Sequence, residues 1–214
     1  MVDFRCYAGV TSMLIKHLVR YSLPLYLLLY LGAAFFWRSF IVWKKTGVNP
    51  VVFKTTNSAH YYIGRVFRIL FALIVIIVLV HSFWPNGYHL FMPIEWLERT
   101  WITTAGAVLL LLSLLWTVLA QTQMGESWRI GIDQEHRTAL VQTGVFAFSR
   151  NPIFFGMIIT LSGLFLVIPT ALTLLTLVTG VVLIGIQVRL EEEFLLRAHG
   201  EDYVRYKRHV RRWF

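Results

Sequence analysis

The chain has 214 residues, of which 57% are hydrophobic and 14% charged, whereas about a quarter of the residues in a soluble domain are charged. Together with a mean hydropathy of +0.64, this composition excludes an ordinary soluble domain and indicates an integral membrane protein. The net charge of +9 does not predict nucleic-acid binding, because the basic residues mostly flank apolar runs, where anionic lipid is the expected partner. The single cysteine, Cys6, excludes an intramolecular disulfide and a cysteine-based metal cluster.

Apolar runs define the predicted membrane helices. Regions 23–42, 66–84 and 101–120 each have the roughly 20 residues that a crossing needs. A fourth region, 151–188, is too long for one crossing, since a helix of that length would reach about 57 Å against a hydrocarbon core of about 30 Å. Pro169 near its middle predicts a hairpin that turns at 168–170. The predicted fold is therefore all-α and polytopic, with about five transmembrane helices, the last two a tight hairpin, and a helical C-terminal tail.

Lys and Arg residues near the helix ends predict the orientation. Thirteen of them lie in the connections after the first and third helices and in the C-terminal tail, while four lie on the other side. The first side is expected to be cytoplasmic, which places the N-terminus on the opposite side of the membrane. We therefore divide the chain into a membrane scaffold of about three helices (1–120) and a region of loop, hairpin and tail (121–214) that is expected to carry the function.

The segment Ser149-Arg150-Asn151-Pro152 lies at the start of the fourth apolar region. A residue before proline is kept out of helical conformation, so Asn151 is expected to be extended and Pro152 to begin the next helix. The free N–H groups of a helix start, together with a guanidinium, form a natural site for a carboxylate or a phosphate. The plain alternative is a capped helix whose arginine reaches the lipid headgroups.

Three acids, Glu191, Glu192 and Glu193, directly follow the last apolar region. Carboxylates at a helix C-terminus oppose the helix dipole and repel one another, so a positive group is expected to compensate them. Arg150, Arg189 and a cationic ligand are the candidates, and a solvated run of charges is the alternative.

The tail beyond Gly200 predicts a second helix with one aromatic face. Tyr203, Tyr206, Val210 and Trp213 fall at i, i+3, i+7 and i+10, opposite a basic face. Such a helix would lie on the membrane surface or fold back over a cavity.

The connection 121–150 is long enough to indicate a lid or a clamp over a ligand. His136 in this connection is a candidate base, although a lone loop histidine is more often simply solvated. No GxG, HExxH or GxSxG motif occurs, so neither a Rossmann fingerprint nor a phosphate loop is available and no metal site is predicted.

Together, these segments resemble the isoprenylcysteine carboxyl methyltransferase family and the related phospholipid N-methyltransferases. The signature of that group runs through a GxxW-like stretch, LVxxGxY, RHPxYxG, a long apolar hairpin and EExxLxxxFGxxYxxY. The matching residues, in order, are Gly125, Trp128, Leu140, Val141, Gly144, Phe146, Arg150, Pro152, Phe154, Gly156, Glu191, Glu192, Leu195, Gly200, Tyr203 and Tyr206. This chain departs from the signature at Asn151, which replaces His, at Phe146 and Phe154, which replace Tyr, and at His199, which replaces Phe.

The resemblance implies S-adenosylmethionine as the cofactor, a molecule that carries a sulfonium, an ammonium and a carboxylate. It implies that Arg150 and the helix start at Asn151 and Pro152 bind the carboxylate, and that Glu191 and Glu192 bind the ammonium or the ribose hydroxyls. Further cofactor contacts are implied for Leu140, Val141 and Gly144 around the adenine and for Tyr203 and Tyr206 over the pocket. Arg150 and Glu192 are expected to matter most for catalysis.

The resulting prediction is a membrane methyltransferase whose acceptor enters from the lipid while its cofactor enters from the cytoplasm. The acceptor stays open among a carboxylate, a thiol and a phospholipid amine; an amine would need a base, for which Glu192 or His199 qualifies. One alternative is a sterol-type NADPH reductase, a class that carries a similar RHPxYxG segment without the glutamate pair. The other is a non-catalytic basic membrane module.

Overall fold

The computed structural model describes residues 4–47, 59–128 and 139–214, and the regular elements in these ranges are helices. They are α1 (Phe4–Leu31), a π-helical segment (Gly32–Trp37), α2 (Arg38–Thr46), α3 (Ala59–Phe83), α4 (Thr100–Met124), α5 (Pro152–Val167), α6 (Ala171–His199) and α7 (Glu201–His209). Short 3-10 turns occupy parts of the connections, at Pro85–Phe91, Glu95–Leu97, Gly125–Ser127 and Gly144–Ala147. The predicted all-α class is confirmed.

The first helix is much longer than the predicted span 23–42, because α1, the π-helical segment and α2 continue into one another. Its early part bonds to the start of α4 and to the connection before it: Ser12 pairs with Thr100, the first residue of α4, and Lys16 Nζ donates to Glu98 O at 3.0 Å. Its far part reaches the other end of α4, where Arg38 donates to Gly125 O. The first helix therefore runs parallel to α4 along its whole length.

Small residues bring α4 and α5 into close contact. A Cβ atom added to Gly106 of α4 would lie 2.8 Å from Gly163 O of α5, and one added to Gly163 would lie 3.0 Å from Gly106 O. At the other end of the pair, a Cβ on Gly156 would lie 2.4 Å from Thr117 Oγ1. Because lipid gives no hydrophobic drive for helix association, such close backbone packing is a main source of stability. It fixes where the start of α5, and so Arg150, stands relative to α4.

Three residues, 168–170, separate α5 from α6, and they lie at the end of the bundle opposite the start of α5. The connection before α4 holds them there, since Ile94 N donates to Pro169 O at 2.8 Å and Ala171 N donates to Met92 O at 3.0 Å. Thr170 caps α6: its hydroxyl accepts from Thr173 N at 3.1 Å. The start of α5 and the end of α6 consequently meet at the same end of the bundle.

Four helical segments in the described ranges are long and apolar enough to cross a membrane: Gly9–Thr46, Tyr61–Phe83, Thr100–Ser127 and Ala171–His199. The chain is thus an integral membrane protein. The helix α5 is apolar but has only 16 residues, or about 24 Å, which is shorter than a typical hydrocarbon core. The count of five crossings therefore stays a prediction.

The tail differs from its prediction. α7 ends at His209, and Val210 is extended, with φ −119° and ψ 129°. Val210 and Trp213 therefore do not continue the aromatic face of Tyr203 and Tyr206, and that part of the prediction was wrong. Residues 210–214 instead turn back across the start of α5, a segment that we call the C-terminal strap.

Candidate active site at the end of α5 and α6

Local backbone geometry places Arg150 at the mouth of the bundle. Pro152 is the first residue of α5, as the sequence predicted, whereas Asn151 is non-helical but not extended as expected, with φ −133° and ψ 51°. Ser149 and Asn151 are both buried, and Asn151 N donates to Ser149 Oγ at 3.2 Å. Trp116 of α4 holds the new helix in place, because its indole N–H donates to Pro152 O at 2.8 Å.

The structure brings Arg150 and Glu192 together as an ion pair. Arg150 Nη2 lies 2.8 Å from Glu192 Oε1, Arg150 Nε donates to the same oxygen at 3.3 Å, and both side chains are 7% exposed. Although 42 residues separate the two in sequence, the α5–α6 turn at the far end of the bundle returns the chain to this point. Arg150 and Glu192 are therefore close together, as expected, but they are bonded to each other.

A third residue completes this cluster. Arg212 Nη2 lies 2.7 Å from Glu192 Oε2, and Arg212 Nε donates to Glu192 Oε1 at 3.1 Å. The pKa of Arg212 is raised, first by its hydrogen bond to Glu192 and also by the charge of that carboxylate, while burial opposes the shift. One carboxylate thus meets two guanidinium groups, and the Arg150–Glu192–Arg212 cluster has an excess positive charge that suits an anionic group.

Arg212 was not predicted from the sequence, because it lies in the strap. The tail holds several basic residues, and the helical prediction for 203–213 gave no ground for choosing one of them. The backbone of Arg212 is fixed by two hydrogen bonds to its carbonyl, from Ser149 Oγ at 3.3 Å and from Asn151 Nδ2 at 3.2 Å. Arg150 N also donates to Arg211 O at 3.0 Å. Hydrogen bonds from the segment before α5 therefore fix the backbone of the strap.

Arg150 also holds the end of α7. Its Nη1 atom donates to Lys207 O at 3.2 Å and to Val210 O at 2.5 Å. These carbonyls are at the C-terminus of the helix, where a positive charge is favourable. Through these bonds and its contacts with Glu192, one side chain joins α5, α6 and α7.

The two tyrosines predicted to close the pocket are both buried on α7. Tyr206 donates its hydroxyl to Phe146 O at 2.6 Å, whereas the buried Tyr203 hydroxyl has no hydrogen-bond partner in the part of the chain that the structure describes. Burial raises the pKa of each tyrosine to about 12; the Glu192 charge adds to the shift for Tyr203 and Tyr203 adds to it for Tyr206, while the nearby Arg150 opposes both shifts. Both are therefore neutral O–H donors at physiological pH.

The loop predicted to frame a cofactor is anchored to the end of α4. Gly144 has φ +64°, a conformation that favours glycine, and a Cβ there would lie 2.1 Å from Gln123 Oε1. The same Gln123 oxygen accepts from Val145 N at 2.7 Å, while Val141 packs against the buried Val145 and Phe146. Because Phe146 O accepts from Tyr206, this loop and α7 form one unit. Leu140 is half-buried at its start.

Other predicted residues have different surroundings. Glu191 accepts a hydrogen bond from Gln187 Nε2 at 2.9 Å, one turn earlier in α6, so the two adjacent acids have different partners. His199 is the last residue of α6. His136 lies outside the described residues. Within the described ranges, no group of three or more His, Cys, Asp or Glu residues gathers in a way that would hold a metal ion.

Comparison with known proteins gives one family. Residues 101–202 match the family model described as phospholipid methyltransferase. No curated protein matches the chain. The matched segment begins with α4 and includes Arg150, Glu191 and Glu192, and it ends just before Tyr203 and the strap.

Proposed function

Since residues 101–202 belong to the phospholipid methyltransferase family, part of the group that also includes the isoprenylcysteine enzymes, we propose that this chain is an S-adenosylmethionine-dependent methyltransferase of the membrane. The observation that supports the site assignment is the buried contact between Arg150 and Glu192 within this segment. The family favours methyl transfer over a sterol-type reductase or a non-catalytic module.

The donor set of the cluster fits the amino-acid end of S-adenosylmethionine. Two guanidinium groups, Arg150 and Arg212, suit its carboxylate, and Glu192 suits its ammonium. A zwitterion that binds here would replace part of the Arg–Glu pairing with matched contacts of the same kind, so no buried charge would be left without a partner. The unpartnered Tyr203 hydroxyl, 1% exposed, is a further donor for such a ligand. Asn151 and Pro152 set the position of Arg150, and the other acid, Glu191, suits the ribose hydroxyls.

S-adenosylmethionine supplies an electrophilic methyl group when it is bound. The residues of this chain would orient the acceptor behind that methyl, since in-line placement supplies much of the rate gain in such a displacement. Leu140, Val141 and Gly144 would frame the adenine. Tyr203, Tyr206 and the strap would exclude water, which matters because the sulfonium charge disappears during transfer.

The acceptor is a lipophilic or membrane-delivered molecule. Among the carboxylate, thiol and amine acceptors, the family description favours the amine of a phospholipid headgroup. The excess of basic residues on this side of the predicted helices supports a site on the cytoplasmic face, with the N-terminus opposite.

Cofactor binding is tested by calorimetry on the purified full chain in detergent with S-adenosylmethionine. Glu192→Gln is expected to weaken binding at least about tenfold, because a charge-assisted contact is lost. Glu193→Gln makes the same chemical change at an exposed neighbouring residue. It is the matched control and is expected to bind like the parent. If the parent does not bind S-adenosylmethionine, the cofactor proposal is wrong; if Glu192→Gln binds like Glu193→Gln, the site assignment is wrong.

Arg212 is tested in the same assay. Arg212→Gln is expected to weaken binding several-fold, less than Glu192→Gln, because its side chain is 34% exposed and water screens part of its charge. Arg208→Gln removes the same charge from an exposed position of α7 and is the control. Transfer from radiolabelled cofactor to membrane extracts then identifies the acceptor, with label in the phospholipid fraction as the expected result.

A further inference from the structure

A cavity lies at the same end of α4, on the side of the first helix. It has a volume of about 370 Å³ and lies between α2 and the end of α4. Its charged lining residues are Arg38 and Lys45 from α2 and Glu126 from the turn after α4. None of the sequence motifs or the family match at 101–202 includes α2.

Arg38 is the unusual residue of this cavity. It is 8% exposed, within the apolar segment Gly9–Thr46, and no carboxylate is bonded to it in the described ranges. Its Nη2 atom donates to Gly125 O, which is a typical contact of an arginine with the C-terminus of a neighbouring helix. Its Nε atom is buried without a hydrogen-bond partner in the part of the chain described. Helix capping therefore explains only part of this buried guanidinium.

Lys45 adds a second positive charge to the cavity. It lies seven residues after Arg38, two helical turns along the same face of α2, and it is exposed. Glu126 lines the cavity as well and would repel an anion placed beside it, so the favourable position for an anion is at the wall of Arg38 and Lys45. Among the lining residues that the structure describes, two cations and one carboxylate give an excess of positive charge.

We propose that this cavity binds a phosphate group, with the Arg38 guanidinium and Lys45 Nζ as its donors. Arg38 lies eight residues, or about 12 Å along the helix, before the end of α2, which is also the end of the apolar segment Gly9–Thr46. Phosphate is the anion that phospholipids present near the ends of membrane-spanning helices, and a lipid headgroup and free phosphate share the same chemistry. This inference does not depend on methyl transfer. A phospholipid held here would lie beside the end of α4 that also anchors the loop of Gly144.

The chain offers a matched pair of variants for the test. Lys44 and Lys45 are adjacent and both exposed, but only Lys45 lines the cavity. Binding of phosphatidylglycerol to the purified full chain in detergent is measured by native mass spectrometry. Lys45→Gln is expected to weaken binding about tenfold, and Lys44→Gln, which loses the same charge, less than about twofold. Equal losses in the two variants would overturn the proposal, because they would show attraction to surface charge alone.

Arg38→Lys keeps the charge but removes the guanidinium, and it is expected to weaken binding to a similar degree. Diacylglycerol, which lacks phosphate, is expected to bind the parent chain weakly, and binding as tight as that of phosphatidylglycerol would contradict the proposal. Competition with inorganic phosphate separates the two sources. Displacement of the lipid would show that phosphate alone is recognised, and no displacement would assign the site to the phosphate of a lipid headgroup.

Discussion

Two arginines with largely buried side chains stand at the same end of this bundle, and their surroundings differ. Arg150 makes two hydrogen bonds to Glu192 and two to carbonyl groups of the tail. Arg38 makes one bond, to Gly125 O, and its Nε has no partner in the described ranges. A buried charge is costly unless it is paired, so the same residue type has different consequences at the two places. Arg150 organises three helices, whereas Arg38 has capacity left for a ligand.

The largest effect is expected where the pairing is complete. Glu192→Gln leaves two guanidinium groups without their carboxylate, and we expect a loss of about 3–5 kcal/mol in the free energy of unfolding. Urea or thermal unfolding in detergent, followed by circular dichroism, measures it. Glu193→Gln is expected to change this free energy by less than about 0.5 kcal/mol, since it is exposed. A loss that is equally small for Glu192→Gln would mean that the cluster does not hold the bundle end together.

An intermediate effect on the free energy of unfolding is expected for the tyrosines of α7, the helix that Arg150 also contacts. Tyr206→Phe removes the bond to Phe146 O and leaves that buried carbonyl unpaired, which costs about 1–2 kcal/mol. Tyr203→Phe, on the same buried face of α7, removes a hydroxyl that makes no bond in the described ranges, so it is expected to be close to neutral in stability. Unfolding of the two variants side by side is the measurement. A Tyr203→Phe variant as unstable as Tyr206→Phe would contradict the assigned contacts.

The smallest effect is expected at the arginine without a carboxylate. Arg38→Met loses the bond to Gly125 O but removes a buried, incompletely bonded charge, and these contributions oppose each other. We expect the free energy of unfolding to change by no more than about 1 kcal/mol, measured in detergent without added phospholipid. A loss as large as that of Glu192→Gln would show that Arg38 is a structural residue like Arg150, and the contrast between them would fail.

Local sequence rules predicted the site where they apply to neighbouring residues. The non-helical Asn151, Pro152 at the first position of α5 and the helix break at 168–170 follow from proline geometry. Arg150 and Glu192 were also expected to meet, because an antiparallel helical hairpin brings the residue before its first helix close to the end of its second helix. The same rules failed for the strap. Val210 does not continue the helix that the periodicity predicted, because the strap bonds to the segment before α5 instead.

The sequence alone determined that the chain belongs in a membrane and that it is all helical, and it predicted that acids and an arginine meet at the bundle end. These features depend on composition, on apolar length and on proline, which act over a few residues or on the whole chain. The tertiary structure decided that Arg212 shares Glu192 with Arg150, and that Arg38 is buried in a cavity without a carboxylate. Those outcomes depend on the distance between side chains far apart in sequence, and that distance is set by the close packing of α4, α5 and the first helix.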